Sequence, residues 1–321
     1  MSKPAPLYNR LALIGVGLIG SSIARAARAQ GAVRSIVATA RSAATRKRVA
    51  ELGIADQVVD TNAAAVEGAD LVIVCIPVGA CGDVAKEIGP HLAAGATVTD
   101  VGSVKGSVLR DMAPHLPRGV HFVPAHPVAG TEYSGPDAGF AELFVNRWCI
   151  LTPPKNADAK AVEKLAAFWR LLGANVDTMT ADHHDMVLAI TSHLPHLIAY
   201  TIVGTADEMQ TVTQSEVLKF SAGGFRDFTR IAASDPTMWR DVFLANKDAV
   251  LEMLGRFNED ISALTKSIRN GDGKALFDQF TRTRAIRKGI IDIGQDSPAP
   301  DFGRQHPDLN QPLPKPYAEG D

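Results

Sequence analysis

The chain has 321 residues, about twice the ordinary length of one domain, so two packed units are expected. Apolar residues make up 46% and charged residues 21%, a globular balance that excludes a largely disordered protein. The 33 basic and 35 acidic side chains leave −2, so no overall field draws the chain to nucleic acid or anionic lipid.

The opening MSKPAPLYNR has no long apolar run. Leu11–Gly15 reads as a buried strand and Ser21–Gln30 as a helix, followed by a strand over Ser35–Ala40 and a helix ending at Gly53. Leu71–Ile76 is almost continuously apolar, as a strand covered on both faces should be, and Pro77 stops it. Ala96–Asp100, His121–Ala125 and Arg147–Thr152 read as further strands with helical patterns between them. A helix over Asp158–Leu172 and a last strand over Asn175–Thr180 complete the series. Strands alternating with helices at this spacing predict an α/β fold with a doubly wound, mostly parallel sheet.

After Thr180 the pattern turns helical, through Val187–Ala206, Thr237–Ile268 and Lys274–Ile293. Asp235-Pro236 starts a helix, with Asp as N-cap and Pro in the first turn, and Asn270–Gly273 turns between two long helices. Such helices must bury their apolar stripes against one another, the first domain or a second subunit. The expected domains are 1–180 for the α/β unit, 181–295 for the helical unit and 296–321 for an extended, proline-rich tail. Cys75, Cys81 and Cys149 follow no metal-ligand spacing, and no stretch reaches the roughly 18 unbroken apolar residues of a membrane span. The expectation is a soluble, reduced, cytoplasmic protein without a membrane or nucleic-acid partner.

Gly15-Val16-Gly17-Leu18-Ile19-Gly20 follows the first strand and opens a helix. Gly15 permits a tight turn, Gly17 lets backbone approach a pyrophosphate, and Gly20 lets helix and strand pack closely. The helix N-terminus after them, beside Ser21 and Ser22, presents N–H groups to an anion. A bound dinucleotide is therefore expected. Readers of NAD place a carboxylate at the end of the second strand, to hold the ribose 2′-hydroxyl. Here that end reads Ala40-Arg41-Ser42, with no acid. Arg41 and Ser42, with Thr45 or Arg46 as further candidates, can hold a 2′-phosphate, which favours NADP over NAD.

Three clusters remain that a plain scaffold would not need. Asp100-Val101-Gly102-Ser103-Val104-Lys105 and His126-Pro127-Val128-Ala129-Gly130-Thr131-Glu132 each follow a strand, where open α/β sheets bind ligands. The third is Ser192-His193-Leu194-Pro195-His196, followed by Gly223-Gly224-Phe225-Arg226-Asp227-Phe228-Thr229-Arg230. His183-His184-Asp185 invites a metal reading, but adjacent histidines point to different sides of a helix, and no metal is expected.

In this order GVGLIG, DVGSVK, HPVAGTE, SHLPH and FRDFTRIAASDPTMWRD resemble the prephenate and arogenate dehydrogenases, or cyclohexadienyl dehydrogenases, of tyrosine biosynthesis. The resemblance runs to about Gly294. It implies a Rossmann-type nucleotide-binding domain followed by an all-helical domain through which two subunits dimerise. It also implies oxidative decarboxylation of a small-molecule substrate, with hydride passing from ring C4 to a nicotinamide and carbon dioxide leaving C1. By the same resemblance His126 takes the proton of the C4 hydroxyl and Ser103 orients it beside the nicotinamide. Arg230 and His196, with His193, hold the substrate; Thr131, Glu132, Arg226 and Asp227 line the pocket, and Trp239 closes its wall. Glu132 and Arg226 are expected to pair as an ionic gate. Gly15, Gly17, Leu18, Ile19, Gly20, Arg41, Ser42 and Ser103 are the expected cofactor contacts.

One rival is a β-hydroxyacid dehydrogenase, which needs a lysine on the first helix of the second domain, where this chain has His193 and His196. Another is a non-catalytic dinucleotide-binding sensor, which has no use for a histidine, a serine and an arginine around one crevice. Nothing in these residues separates prephenate from arogenate.

Overall fold

Strand β1 (Tyr8–Ile14) alternates its side chains between two apolar layers: Leu11 and Leu13 join one buried cluster, Ala12 and Ile14 the other. The same alternation runs along β4 (Leu71–Val74), and β2 (Val33–Thr39) adds Ile36 and Ala38 to the first cluster, so helices cover both faces of the sheet. With β3 (Gln57–Val58), β5 (Thr97–Asp100) and β6 (His121–Phe122) they form a parallel sheet of order β3-β2-β1-β4-β5-β6. This is the Rossmann order, and its direction of winding reverses between β1 and β4. The computed structural model describes residues 5–131, 133–208 and 222–292, and divides into two compact units, Met1–Gly255 and Arg256–Asp321. The expected tail, 296–321, lies outside the described residues.

Helix α1 (Leu18–Gln30) ends on a left-handed Gly31. Helix α2 (Ala43–Leu52) is capped by the Ser42 hydroxyl, which accepts the Thr45 N–H. Short α3 (Asn62–Val66), α4 (Cys81–Ile88) and α5 (Gly106–Met112) complete the crossovers.

A single sheet was expected, and the later strands depart from it. Strand β7 (Ala125–Pro127) pairs antiparallel with β8 (Trp148–Leu151), which runs parallel to β9 (Asn175–Thr178), as a separate three-stranded sheet. The expected strand His121–Ala125 is thus divided. Pro124 has no N–H with which to continue the first ladder, and its carbonyl instead accepts Thr152 N–H beside β8. Helix α6 (Ala159–Leu171), capped by Asp158, packs Phe168 and Trp169 edge-on against Tyr8 and Phe144.

Helix α7 (Ala181–Leu188), capped by Thr180, passes through a π-turn at Ala189–His193 into α8 (Leu194–Glu208). Pro195 cannot donate to the carbonyl four residues before it, which accounts for the wider turn at this point. Residues 181–208 are long and apolar enough to cross a membrane, with mean hydropathy 1.5, yet the segment carries the buried polar side chains of His184, Asp185 and His193. Helix α9 (Gly223–Thr229) leads through a 3₁₀ turn at Arg230–Ala233 to α10 (Pro236–Ala245), whose N-cap Asp235 accepts Met238 N–H at 2.8 Å. The continuous helix expected over Thr237–Ile268 is broken at Asn246, after which α11 runs over Lys247–Arg269. Asn246 leaves helical geometry because its buried amide is drawn aside to the Asp185 carbonyl and to His193. Helix α12 (Gly273–Asp292) follows the Asn270–Asp272 turn.

Candidate active site

At the end of β1, Gly15 adopts φ +89°, and a Cβ there would run into the Cys75 carbonyl at the end of β4. A Cβ on Gly20 would strike the Gly15 carbonyl. Gly17 differs: a Cβ would meet nothing within 4 Å, so its backbone faces open space at the head of α1. Two glycines close the turn and the third leaves it bare, as approach by a pyrophosphate requires. Leu18 is buried and Ile19 half-buried in the first turn of α1. The neighbouring hydroxyls are already engaged: Ser21 Oγ donates to the Gly17 carbonyl at 2.7 Å, and Ser22 Oγ accepts Phe140 N–H at 3.1 Å. The anion would therefore meet backbone N–H groups at this turn.

At the end of β2, Ala40 is buried and the Arg41 side chain exposed. Ser42 Oγ lies 2.8 Å from Thr45 Oγ1, and the two hydroxyls serve the cap of α2. Arg46 donates to the Ala40 and Arg41 carbonyls at 2.8 and 3.1 Å and pairs with Asp60 at 3.0 Å. Thr45 and Arg46 are thus committed to holding the turn, whereas the Arg41 side chain is exposed.

The loop after β5 is built on a fully buried ion pair, Asp100 with the Lys105 ammonium. Asp100 also accepts Gly102 N–H at 2.7 Å and Ala125 N–H at 3.3 Å, while Lys105 Nζ donates to the Ala125 carbonyl at 2.7 Å. Both backbone groups of Ala125 are held, and the next residue is His126. Ser103 is half-buried in this loop, and Val104 beside it packs against Trp239 and Val242 of α10.

His126 lies on β7 with only 8% of its surface exposed. Its Nδ1 is 2.8 Å from Nε2 of His184, and His184 Nδ1 is 2.8 Å from Asp185 Oδ1. Asp185 in turn accepts the Lys105 and Gly106 N–H groups at 2.7 and 2.8 Å, which ties α7 to the head of α5. Burial, reinforced by His184, Lys105 and His193, holds His126 well below the usual imidazole range, so it is neutral at physiological pH. Burial also lowers His184, against the pull of Asp185.

His196 stacks on Trp239, with ring centroids 3.6 Å apart, and its Nδ1 donates to the Ser192 carbonyl at 2.9 Å. Burial, aided by the Arg230 cation and opposed by the Ser192 carbonyl, brings it down to about 4. His193 is fully buried behind this pair, edge-on to Trp239, and its Nδ1 accepts from the Asn246 amide. Burial brings it, too, to about 4. Arg230 opens the 3₁₀ turn, which Tyr200 on α8 anchors by donating to the Ser234 carbonyl at 2.8 Å. Thr131 Oγ1 accepts Tyr133 N–H at 3.2 Å, and Glu132 lies outside the described residues. Arg226, expected to gate the pocket with Glu132, pairs with its neighbour Asp227 at 3.1 Å, both exposed.

The Asp100–Lys105 loop, His126 and the Ser192–Trp239 cluster are therefore joined through Val104, Asp185 and His193. Sequence reasoning gave no role to four residues of this network: Lys105, His184, Asp185 and Asn246. The His183-His184-Asp185 run was the available signal, considered only for metal. His183 is exposed while His184 is fully buried, so only one of the pair faces the site.

Comparison with known proteins places these motifs in context. The prephenate dehydrogenase nucleotide-binding domain family matches residues 23–178, and the prephenate dehydrogenase dimerization domain family matches 180–282. A cyclohexadienyl dehydrogenase of Zymomonas mobilis is 42% identical over 284 residues, which is 88% of this chain and 97% of the relative. A prephenate dehydrogenase of Bacillus subtilis is 34% identical over 285 residues, 88% of this chain and 76% of the relative. Among solved structures, the prephenate dehydrogenase of A. aeolicus in complex with hydroxyphenyl propionate and NAD+ superposes with a TM-score of 0.81 at 33% identity. The match covers 88% of this chain and 98% of that one.

Proposed function

This chain belongs to the prephenate dehydrogenase family, and on that premise we propose that it oxidatively decarboxylates prephenate, arogenate or both, using NAD(P). The products would be 4-hydroxyphenylpyruvate and tyrosine respectively. The enzyme is a dehydrogenase with a nicotinamide-dinucleotide-binding Rossmann domain. The observation that carries the finer reading is His126: a nearly buried imidazole hydrogen-bonded through Nδ1 to His184 and held by burial well below the usual imidazole range.

When bound, the nicotinamide supplies the acceptor for the hydride of ring C4. Gly15–Gly20 and the first turn of α1 would hold the pyrophosphate, with Arg41 and Ser42 toward the adenosine ribose and Ser103 toward the nicotinamide. NADP is the favoured partner, because Ala40 stands where a carboxylate would select NAD, and Arg41 adds a cation.

As the hydride leaves, the C4 hydroxyl becomes a protonated carbonyl and sheds its proton readily. His126 accepts that proton, and its low basicity is no obstacle because the donor is far more acidic than an alcohol. Loss of carbon dioxide from C1 then returns an electron pair to the ring, which becomes aromatic. Ser103 orients His126. Arg230 binds the carboxylates of the substrate, an arginine fork being the strongest neutral-pH partner for them. His196, whose one N–H is given to the Ser192 carbonyl, meets the substrate beside it with the Nε2 lone pair. His193 and Trp239 fix the plane of His196, while Thr131, Arg226 and Asp227 line the pocket.

The boundary between the nucleotide-binding and helical domains falls at 180/181 in this reading. Two copies associate through the helical domain, which exposes Leu251, Ile261 and Ile268 on α11 and Phe277 and Phe280 on α12. The enzyme works in the cytoplasm on a small molecule. Steady-state kinetics with prephenate and arogenate, each against NAD and NADP, test the proposal. Reduced cofactor is expected from at least one pairing; its absence from all four would overturn the reading.

A further inference from the structure

The hydrogen bonds around Asp185 fix where protons lie along a chain of three side chains. Asp185 Oδ1 accepts Lys105 N–H and Oδ2 accepts Gly106 N–H, so both oxygens face donors and the carboxylate meets His184 as an acceptor. His184 Nδ1, 2.8 Å from Oδ1, therefore carries a hydrogen. A neutral imidazole has one N–H, so His184 Nε2 is a lone pair. That lone pair is 2.8 Å from His126 Nδ1, which must then carry a hydrogen in its turn. The remaining nitrogen of His126, Nε2, is left as the basic one.

We propose that His184 and Asp185 are positioning residues, which hold His126 in the Nδ1–H tautomer so that Nε2 is the atom accepting the substrate hydroxyl proton. The inference rests on the role given to His126 above. In the step, the O–H bond of the substrate breaks, its proton joins Nε2, and the electron pair stays on oxygen. Positive charge spreads over the His126 ring, and its Nδ1–H bond to His184 shortens, backed by the carboxylate of Asp185. The surroundings agree with this direction. The other charged and titratable groups facing the two rings are Lys105 and Asp100 from the loop after β5, and His193 from the π-turn. Lys105 is held by Asp100 and the Ala125 carbonyl, so among the described residues the one acidic group hydrogen-bonded to the imidazole chain is Asp185, at its far end. A histidine backed by an acid in this way depends on it strongly: elsewhere the wrong tautomer alone lowers turnover by as much as about 10⁴.

Two measurements test the proposal. In protein labelled with ¹⁵N-histidine, two-bond proton–nitrogen correlations report which ring nitrogen carries hydrogen. His126 is expected as Nδ1–H at pH 7.5, and an Nε2–H signature would overturn the assignment without any mutation. The second compares His184→Leu with His184→Gln, whose amide oxygen can still accept the Nδ1 hydrogen. Leucine is expected to lower kcat roughly 10- to 100-fold, a large share of what a positioned base contributes, with KM and cofactor affinity nearly unchanged. Glutamine should recover most of that loss. Equal loss in both variants, or none in either, would contradict the tautomer role. If His126→Asn were inactive while His184→Leu stayed active, only this inference would fail; if His126→Asn stayed active, the reading beneath it would fail.

Discussion

The Trp239 indole lies face to face with the His196 imidazole, ring centroids 3.6 Å apart and planes 24° apart. Together with the Ser192 carbonyl it leaves His196 a single orientation. An aromatic pair is worth about 0.5–1.5 kcal/mol beyond its burial, so losing it should weaken substrate binding by up to roughly tenfold. Trp239→Leu is accordingly expected to raise KM for the preferred substrate, with a smaller change in kcat and none in cofactor affinity. An unchanged KM would remove the stack from substrate binding.

The glycine turn separates folding from cofactor binding. Gly17→Val adds a side chain to open space, so it should leave the melting temperature nearly unchanged and abolish dinucleotide binding. Gly20→Val forces the side chain into the Gly15 carbonyl and should lower the melting temperature markedly, by overpacking costs of about 1–3 kcal/mol or more. Calorimetry and cofactor titration of the two variants would show the reverse if the turn has been misread.

The proposed preference for NADP rests on Arg41. Because Arg46 is held by Asp60 and two carbonyls, Arg41→Ala should weaken NADP far more than NAD. Fluorescence titration with each cofactor checks it, and equal weakening would mean that Arg41 does not meet the 2′-phosphate.

Acid should act through the buried imidazoles. His193 and His196 are held at about 4 and His126 is also depressed, whereas in the unfolded chain each returns to about 6.5. Between those values the unfolded chain binds more protons, so stability is full above about pH 6.5 and falls as pH drops toward 4. Thermal melts across that range should show the decline, and His193→Asn should flatten it. The acidic limb of kcat/KM should likewise lie below the ordinary histidine value.

Much of this was legible in the chain, and the gaps have physical causes. The run from Leu71 to Ile76 and the Gly15–Gly20 turn announced a dinucleotide fold because strand burial and close backbone approach leave local marks. The second sheet left almost none, since β7 is three residues long and its separation from β6 depends on the missing N–H of Pro124. Asn246 sits in an unbroken helical pattern, and only partners more than fifty residues away pull it out. His184 was visible but its role was missed: the His183-His184-Asp185 run was weighed as a metal set and rejected, whereas the ring that His184 meets, His126, is 58 residues distant. Such contacts are set by topology, which no short motif records.

Everything proposed for the chemistry depends on His126, and the most direct trial is the turnover of His126→Asn with prephenate or arogenate at saturating cofactor. The account predicts a fall in kcat of roughly 10²–10⁴, the usual contribution of a positioned base, with cofactor affinity intact. A variant turning over at close to the original rate would contradict it.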